Sequence, residues 1–395
     1  DNVRIERSLA TPSASVDGAA VRTEIEAQRK TSDEQRKKLE DQRTKEPGRA
    51  IAWVTDKTTK PPTVPLLTRG LYHLRGPSVE PGALAMLTDA GHEYQPHALP
   101  SDATTTGRRL GFANWLLRSE GRPAALVARV HVNRIWREYF GRGIVATTDN
   151  LGQSGSPPTH PELINELAAG FIQSGWNQKS VHRQILLSTT YRQSSAPRRE
   201  AIEADPDNRL YWRFPVRRLQ AEVIRDAMLA ISDQLDATPF GPYVATRQTA
   251  VGEVVVNPQD AGARRRSVYL QQRRSQTLSM LKVFDAPAIA TVCTTRPSST
   301  VPLQSLSLLN SDFAVATAEA FAKRLRTETD GTDAAVIQRA WLLAVARAPT
   351  AAEQQISAEF LAGQRAQYTG EQAAEWGLAD FCQMLLASNS FLYLE

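Results

Sequence analysis

Apolar residues recur at helical spacing over much of the chain from Arg108 onward. Residues 110–117 and 125–136 carry two such runs, which predict two neighbouring helices. Residues 163–171 place apolar side chains at intervals of four, which predicts another helix, and Gly175 is a suitable stop for it. The pattern therefore predicts a helical region with one apolar face on each helix.

Start signals accompany several of these helices. Thr159 and Glu162 have the spacing of a capping box, in which each side chain bonds a backbone N–H at the other's position. Thr350 and Glu353 repeat the same spacing. We therefore expect one helix to open at Thr159 and another at Thr350. Three further start signals are a proline suited to a first turn and two N-cap residues: Pro302, Ser311 and Asp333.

The same periodicity predicts further helices on both sides of residue 240. Two of them precede it, at residues 178–191 and 219–235. Five more fill the last hundred residues, so that the chain ends in a helical bundle. Their expected ranges are 302–309, 312–326, 334–347, 351–367 and 372–387.

Three segments depart from this pattern. Residues 19–46 are charged with few apolar positions, which fits an exposed helix or an ordered linker. Residues 51–107 are rich in Pro and Gly, which excludes long regular elements and favours an extended wrap. In the third segment, residues 241–270, two short β-branched or aromatic runs, 252–256 and 267–270, lie between turn residues and predict a small hairpin or two-stranded ribbon.

The expected fold is mainly α, with a helical core, a C-terminal helical bundle and a small β-hairpin insertion. We expect five regions along the chain. They are a charged helix or linker, a loop-rich wrap, the helical core, the β insertion and the bundle, at residues 1–61, 62–107, 108–240, 241–275 and 276–395.

Composition narrows the classes of protein. The chain has 395 residues, of which 41% are hydrophobic and 23% charged, as in ordinary globular proteins. It lacks the uninterrupted apolar run that a membrane-spanning helix needs. Cys293 and Cys382 are far apart, so this segment offers no disulfide framework, no Cys-x-x-Cys zinc pattern and no Cys-x-x-Cys-His haem attachment. A net charge of +5 favours weak attraction to anionic partners.

A set of linked motifs runs from residue 128 to residue 310. The first part reads ARVHVNRIW, FGRGIV, PPTHPEL, GWNQKSVHR and STTYRQSS, in that order. Downstream come DPDN at residues 205–208, RRSVY from Arg265, FDAP at residues 284–287 and QSLSLLN at residues 304–310. Together these motifs strongly resemble the planctomycete-specific domain one family, a domain of unknown function (1553). The resemblance extends from about residue 62 to the C-terminus.

The resemblance also implies upstream domains, a cellular location and a partner. Similar proteins often carry a signal sequence, a c-type cytochrome domain and a second domain of unknown function upstream of this region. The resemblance therefore implies export to the periplasm or cell surface. It also implies haem only in an upstream domain, with no cofactor in this segment, and a c-type cytochrome domain as a possible partner.

Three residues are candidates for catalysis: His131, Asp149 and His160. Neutral imidazoles and a carboxylate suit proton transfer near neutral pH, and the turn between the two histidines should reverse the chain. We expect the two imidazoles to lie near each other on this basis. The alternative is structural, with the three groups in caps, turns and internal hydrogen bonds. We assign no metal ligands, because no spacing here matches a zinc motif.

Four arginines are candidates for ligand binding: Arg134, Arg192, Arg265 and Arg266. The planar guanidinium binds carboxylate, sulfate or phosphate through paired hydrogen bonds. We expect an anionic polysaccharide as a possible partner. We expect no nucleic acid, because the sequence around these arginines carries no signature of a nucleic-acid-binding fold. Internal ion pairs are the alternative role for these side chains.

Two functions are therefore open. One is an assembly or binding module of an exported, cytochrome-c-associated system. The other is a carbohydrate-active enzyme, oxidative or hydrolytic, with a polar site around His131 and His160. The sequence has no nucleophile elbow, phosphate loop or dinucleotide-binding motif that would decide for catalysis.

Overall fold

The computed structural model describes residues 18–45, 63–289, 292–370 and 372–394. They fall into two units, which are considered separately. The first contains one helix, α1, at Gly18–Lys45. The side chains of residues 23–41 are exposed, as expected for the charged segment. The exposed-helix interpretation of that segment is confirmed.

The second unit is mainly α with small two-stranded sheets, as the sequence predicts. The structure shortens two of the predicted helices, 178–191 and 219–235, by several residues at one or both ends. Its elements in chain order are β1 Val64–Leu67, β2 Arg75–Val79, α2 Arg108–Leu117, α3 Arg122–Phe140, α4 Pro161–Gln173, α5 Gln178–Leu187, α6 Arg199–Ala204, β3 Arg217–Arg218, α7 Ala221–Ile231, β4 Arg247–Gln248, β5 Val254–Val255, α8 Ser279–Val283, α9 Pro302–Asn310, α10 Asp312–Glu328, α11 Asp333–Val345, α12 Ala351–Gln367, α13 Ala373–Leu386, α14 Asn389–Leu392 and β6 Tyr393–Leu394.

Helices α3, α4 and α5 build the first of two hydrophobic clusters. Trp136 and Phe140, one turn apart on α3, stack with their ring centroids 4.3 Å apart. Tyr211 lies against both rings, at 5.5 and 5.2 Å, and its hydroxyl donates to the Arg142 carbonyl. Burial of each large apolar side chain contributes about 1.5–3 kcal/mol, so this aromatic group is a main source of stability for the three helices.

The second cluster contains α7 to α14 and the loops between them. Phe321 of α10 and Phe381 of α13 are fully buried at its centre. The sequence places α7 with the helical core that begins at Arg108, but Ile224 and Met228 of α7 are buried in this second cluster. The periodicity of α7 identifies its apolar face correctly, while the helices that cover that face come from later in the chain.

The small sheets differ from the predicted hairpin. Residues 254–255 do form a strand, yet its antiparallel partner is β4, with Arg247 opposite Val255. The second predicted run, residues 267–270, instead contains a 3₁₀ turn at Ser267–Tyr269. A further hairpin, β1 with β2, lies inside the predicted wrap. Strand β3 pairs with β6, which ties the end of the described chain to the segment before α7.

The start signals of the C-terminal helices are confirmed with one shift. Thr350 and Glu353 form the predicted capping box, and Ser311 caps α10. Hydrogen bonds from Arg347 outweigh the opposing effect of burial and, with bonds from Thr350, lower the pKa of Glu353 to about 2. The N-cap of α11 is Thr332, not Asp333, which occupies the first helical position.

The predicted capping box at Thr159 and Glu162 does not form. Helix α4 begins at Pro161 with His160 in the N-cap position, and no side chain caps it. The backbone N–H and the hydroxyl of Thr159 both donate to the carbonyl of Ile144. This pairing holds Thr159 one residue too early for a cap, and Pro161 sets the first helical φ.

A buried ion pair joins several parts of the second cluster. Arg218 of β3 donates to the Asp285 carboxylate at 2.5 Å, and its side chain is only 4% exposed. Ser299 donates to the same carboxylate through its backbone N–H and its hydroxyl, both at 2.8 Å. Gln304 of α9 then donates to the carbonyls of Val283 and Ser299. One carboxylate thus fixes the ends of α8 and α9 against β3.

Replacing Thr350 with alanine should lower the free energy of unfolding by about 0.5–2 kcal/mol, because the backbone N–H of Glu353 loses the Thr350 hydroxyl as its acceptor. Urea titration measures this change. Thr159→Ala is the matched comparison, since its hydroxyl makes a 3.3 Å hydrogen bond outside any cap. An equal or larger effect at Thr159 would contradict the assignment of the two boxes.

Asp285→Ala should lower the free energy of unfolding by about 3 kcal/mol, because it leaves the Arg218 guanidinium buried without its counter-charge. Denaturant titration of Glu203→Gln provides the control, since the Arg199–Glu203 pair is exposed and worth at most about 0.5 kcal/mol. A small effect at Asp285 would show that the pair does not hold the cluster together.

Candidate functional site

His131 projects from α3 toward α4 and α5. Its imidazole stacks on Phe171, with the ring centroids 5.3 Å apart and the planes at 5°. The side chain is half-buried. Burial, together with the positive charges of Arg134 and His182, lowers the pKa of His131. The neutral imidazole is therefore favoured here.

Tyr139 and His182 form a hydrogen-bonded pair beside it. The Tyr139 hydroxyl lies 2.7 Å from Nδ1 of His182, and both side chains are half-buried. The ring of Tyr191 meets Tyr139 edge-on at 5.5 Å. Burial and then Tyr191 raise the pKa of Tyr139, so the phenol keeps its proton. We call His131, Tyr139, His182 and Tyr191 the histidine–tyrosine cluster.

Three exposed arginines lie close in the chain to members of the histidine–tyrosine cluster. Arg134 lies one turn after His131 on α3 and is close enough to affect its pKa. Arg183 follows His182 on α5, and Arg192 follows Tyr191. The nearby carboxylate of Glu138 is already bonded by Arg137 and Gln220. We call the three exposed side chains Arg134, Arg183 and Arg192 the arginine rim; two of them, Arg134 and Arg192, are predicted ligand-binding residues.

The sequence did not single out Tyr139 or pair it with His182. Tyr139 lies about two turns after His131 on α3, which is a helical spacing visible in the sequence. Its partner lies 43 residues further along. Only the packing of α5 against α3 brings the two polar groups together.

The other two predicted catalytic residues have different surroundings. Nδ1 of His160 lies 3.0 Å from the Thr159 hydroxyl, and its ring lies 5.8 Å from that of Tyr211. Asp149 is exposed in the turn between α3 and α4. His131 and His160 therefore contact different aromatic residues, Phe171 and Tyr211.

A buried side chain of α3 bonds the turn that follows this helix. The amide of Asn133 bonds both the N–H and the carbonyl of Val145, each at 2.9 Å. Gly143 passes so close to Asn133 that a Cβ there would come within 2.7 Å of the amide. This fully buried amide fixes the start of the connection that leads to His160.

The two arginines of the later basic segment have opposite environments. Arg265 is 7% exposed, and its guanidinium donates to the carbonyls of Thr238, Phe240 and Pro242. It also lies 3.9 Å from the ring centroid of Tyr269. These contacts use Arg265 to close its own loop. Arg266 is exposed and pairs with Asp226 at 3.6 Å.

Residues 18–45, 63–289, 292–370 and 372–394 contain no group of three or more His, Cys, Asp or Glu placed to hold a metal ion. In the same ranges, no helix combines the length and apolar character needed to cross a bilayer.

Comparison with known proteins gives one match. The family model described as PSD1, protein of unknown function (DUF1553), matches residues 108–361. This range contains α3, α5 and the arginine rim. No curated protein and no solved structure matches the chain.

The pKa of His131 predicts a pH effect on stability. Because this pKa is lowered in the folded state, the folded protein binds the proton less tightly than the unfolded chain does. Both states are neutral well above pH 6.5, so the cost appears only as the pH falls below the unfolded pKa. Between pH 7.5 and 5.5 the wild type should therefore lose stability relative to His131→Gln.

Urea titrations at several pH values measure this difference. His73→Gln, at an exposed histidine, controls for the removal of one titrating group. Parallel stability profiles for the wild type and His131→Gln would show that the environment of His131 does not disfavour its proton.

Proposed function

This chain belongs to the PSD1 family of proteins of unknown function (DUF1553), and from that premise we propose that it is a binding or assembly module. We propose that the arginine rim and the histidine–tyrosine cluster bind an acidic surface of a protein partner. From the sequence resemblance alone, we propose that this partner is a c-type cytochrome domain. On the same ground we propose that the protein works in the periplasm or at the cell surface.

The distribution of charge supports an anionic partner. Between Arg108 and Arg218 the chain carries 17 of its 47 Lys and Arg residues but nine of its 42 Asp and Glu residues. The positive excess of the whole protein is therefore concentrated in this segment. The side chains of the arginine rim are exposed, so an approaching carboxylate can reach them without unfolding.

The arrangement of the rim is the observation that carries the proposal. Arg134 is close enough to His131 to affect its pKa, while Arg183 and Arg192 directly follow His182 and Tyr191, which both contact Tyr139. Arginine and tyrosine are, with tryptophan, the side chains enriched among the residues that contribute most to protein–protein binding. Exposed arginines beside tyrosines therefore support an acidic surface of a folded protein as the partner.

The carbohydrate-active enzyme is the other candidate. Such an enzyme requires His131 and His160 to contact the same substrate, with the Asp149 carboxylate close to them. His131 stacks on Phe171, whereas His160 lies against Tyr211, and the Asp149 side chain is exposed. These placements favour the binding module.

Binding should be tested with the intact chain, an acidic c-type cytochrome and heparin as probes. The cytochrome should bind, and added salt should weaken its affinity. Replacing Arg134, Arg183 and Arg192 together with glutamate should weaken it at least about tenfold. The control changes three exposed arginines elsewhere, Arg247, Arg264 and Arg274, to glutamate. It keeps the same net charge as the test variant and should bind much more tightly.

A second measurement separates a specific contact from general charge attraction. A carboxylate bound at the rim should raise the pKa of His131, which NMR titration of the imidazole follows. Equal losses in the two triple variants, or no change at His131, would contradict the rim as the contact surface. Binding of heparin without the cytochrome would contradict the cytochrome as partner.

A further inference from the structure

A cleft of about 380 Å³ lies between α10 and α13, far along the chain from the arginine rim. Val315, Ala318 and Ala379 give it an apolar side. Trp376 and Tyr368 form an aromatic wall, with their rings edge to face at 5.3 Å and 65°. Trp376 is 45% exposed, which is unusual for so large an apolar side chain.

The charged groups of this cleft are acceptors, and an amide oxygen lies beside them. Glu319 and Asp380 contribute two carboxylates, and the Tyr368 hydroxyl already donates to Asp380 at 2.7 Å. The Nε2 group of Gln383 donates to the carbonyls of Leu308 and Leu309. This leaves the Gln383 Oε1 atom as an acceptor. No Lys, Arg or His is among the described residues that line the cleft.

This combination selects a particular ligand chemistry. An ammonium group carries three N–H donors and no acceptor, which complements the two carboxylates and the free amide oxygen of this site. Aromatic faces attract the same cation, and two carboxylates add attraction of opposite charge. A sugar hydroxyl group carries no charge, so it would gain no ion-pair attraction from the two carboxylates. The apolar side suits an alkyl stem behind the charge.

We propose that the cleft between α10 and α13 binds a primary ammonium group on an alkyl stem, as carried by a lysine side chain of a partner polypeptide. The apolar surface beyond the cleft favours a polypeptide over a free amine. Leu306 and Leu309 of α9 are about half exposed, and the Gln383 side chain bonds the Leu309 carbonyl directly. Apolar neighbours of the lysine therefore have a surface to pack on. This site is independent of the proposed anionic partner, since it uses different helices and the opposite charge.

Titration of the intact chain with Nα-acetyl-lysine methylamide tests the proposal. The indole N–H resonance of Trp376, assigned with Trp376→Phe, reports occupancy of the cleft. We expect saturable binding in the millimolar range, as for other small single-site ligands. The norleucine analogue keeps the stem without the ammonium group, and it should bind at least about tenfold more weakly.

Matched variants distinguish the cleft from general charge effects. Glu319→Gln should weaken lysine binding several-fold, because among the described residues Glu319 has no ion-pair partner of its own. Asp380→Asn should do the same, although it also removes the acceptor of the Tyr368 hydroxyl. Glu375→Gln is the control: it removes the same charge one residue before Trp376, where Glu375 instead pairs with Arg326.

Several results would overturn the proposal. Equal affinity for the norleucine analogue would exclude recognition of the ammonium group. Unchanged binding in Glu319→Gln, with its fold verified by circular dichroism, would exclude the carboxylate contact. Tighter binding of glucosamine than of the lysine derivative would replace the polypeptide with an amino sugar. Loss of cytochrome binding at the arginine rim would leave all these measurements unaffected, so the two proposals fail separately.

Discussion

The buried pair of Arg218 and Asp285 is the interaction on which the second hydrophobic cluster depends. Taking two charges out of water is costly unless each finds its counter-charge and further hydrogen bonds. Here Asp285 accepts from Arg218 and twice from Ser299, so its desolvation is compensated. The partners come from segments 67 and 14 residues away. The cost of leaving either charge alone therefore opposes any arrangement in which these segments separate.

Polar contacts also connect the segment after Asp285 with α3 of the first cluster. Arg137 donates to the Thr294 carbonyl, and the hydroxyls of Thr148 and Thr295 lie 3.0 Å apart. Gln220, just before α7, donates to Glu138. Arg296 pairs with Glu222 of α7 at 2.7 Å. The side chains that orient α3 toward the second cluster are thus mostly hydrogen-bonding groups, whereas each cluster is apolar inside.

The two surfaces for which we propose binding differ in the sign of their charge. The arginine rim offers donors and positive charge around half-buried aromatic and imidazole groups. The cleft of α10 and α13 offers acceptors and negative charge around Trp376 and Tyr368. A module with both surfaces can contact an acidic patch and a basic one at the same time. Such complementarity favours specific association over nonspecific attraction, because a partner of the wrong charge is repelled at each surface.

The sequence by itself determined the local features of this protein. The ranges of the C-terminal helices, the capping box at Thr350 and the exposed helix α1 follow from the spacing of residues within one or two turns. The mainly α class follows from the same periodicity. Each of these features depends on interactions between neighbours in the chain, and a sequence displays neighbours directly.

Only the tertiary structure decided which faces meet. Thr159 matches the capping pattern, yet its hydroxyl donates to the carbonyl of Ile144, 15 residues earlier, and caps no helix. Helix α7 has the predicted apolar face, but later helices cover it. Tyr139 bonds His182, which lies 43 residues further along the chain. The cleft likewise forms because α10 packs against α13, and the residues that line it are distant in the chain. Many partners could satisfy each such group, and the choice depends on the packing of the whole core, which no local pattern encodes.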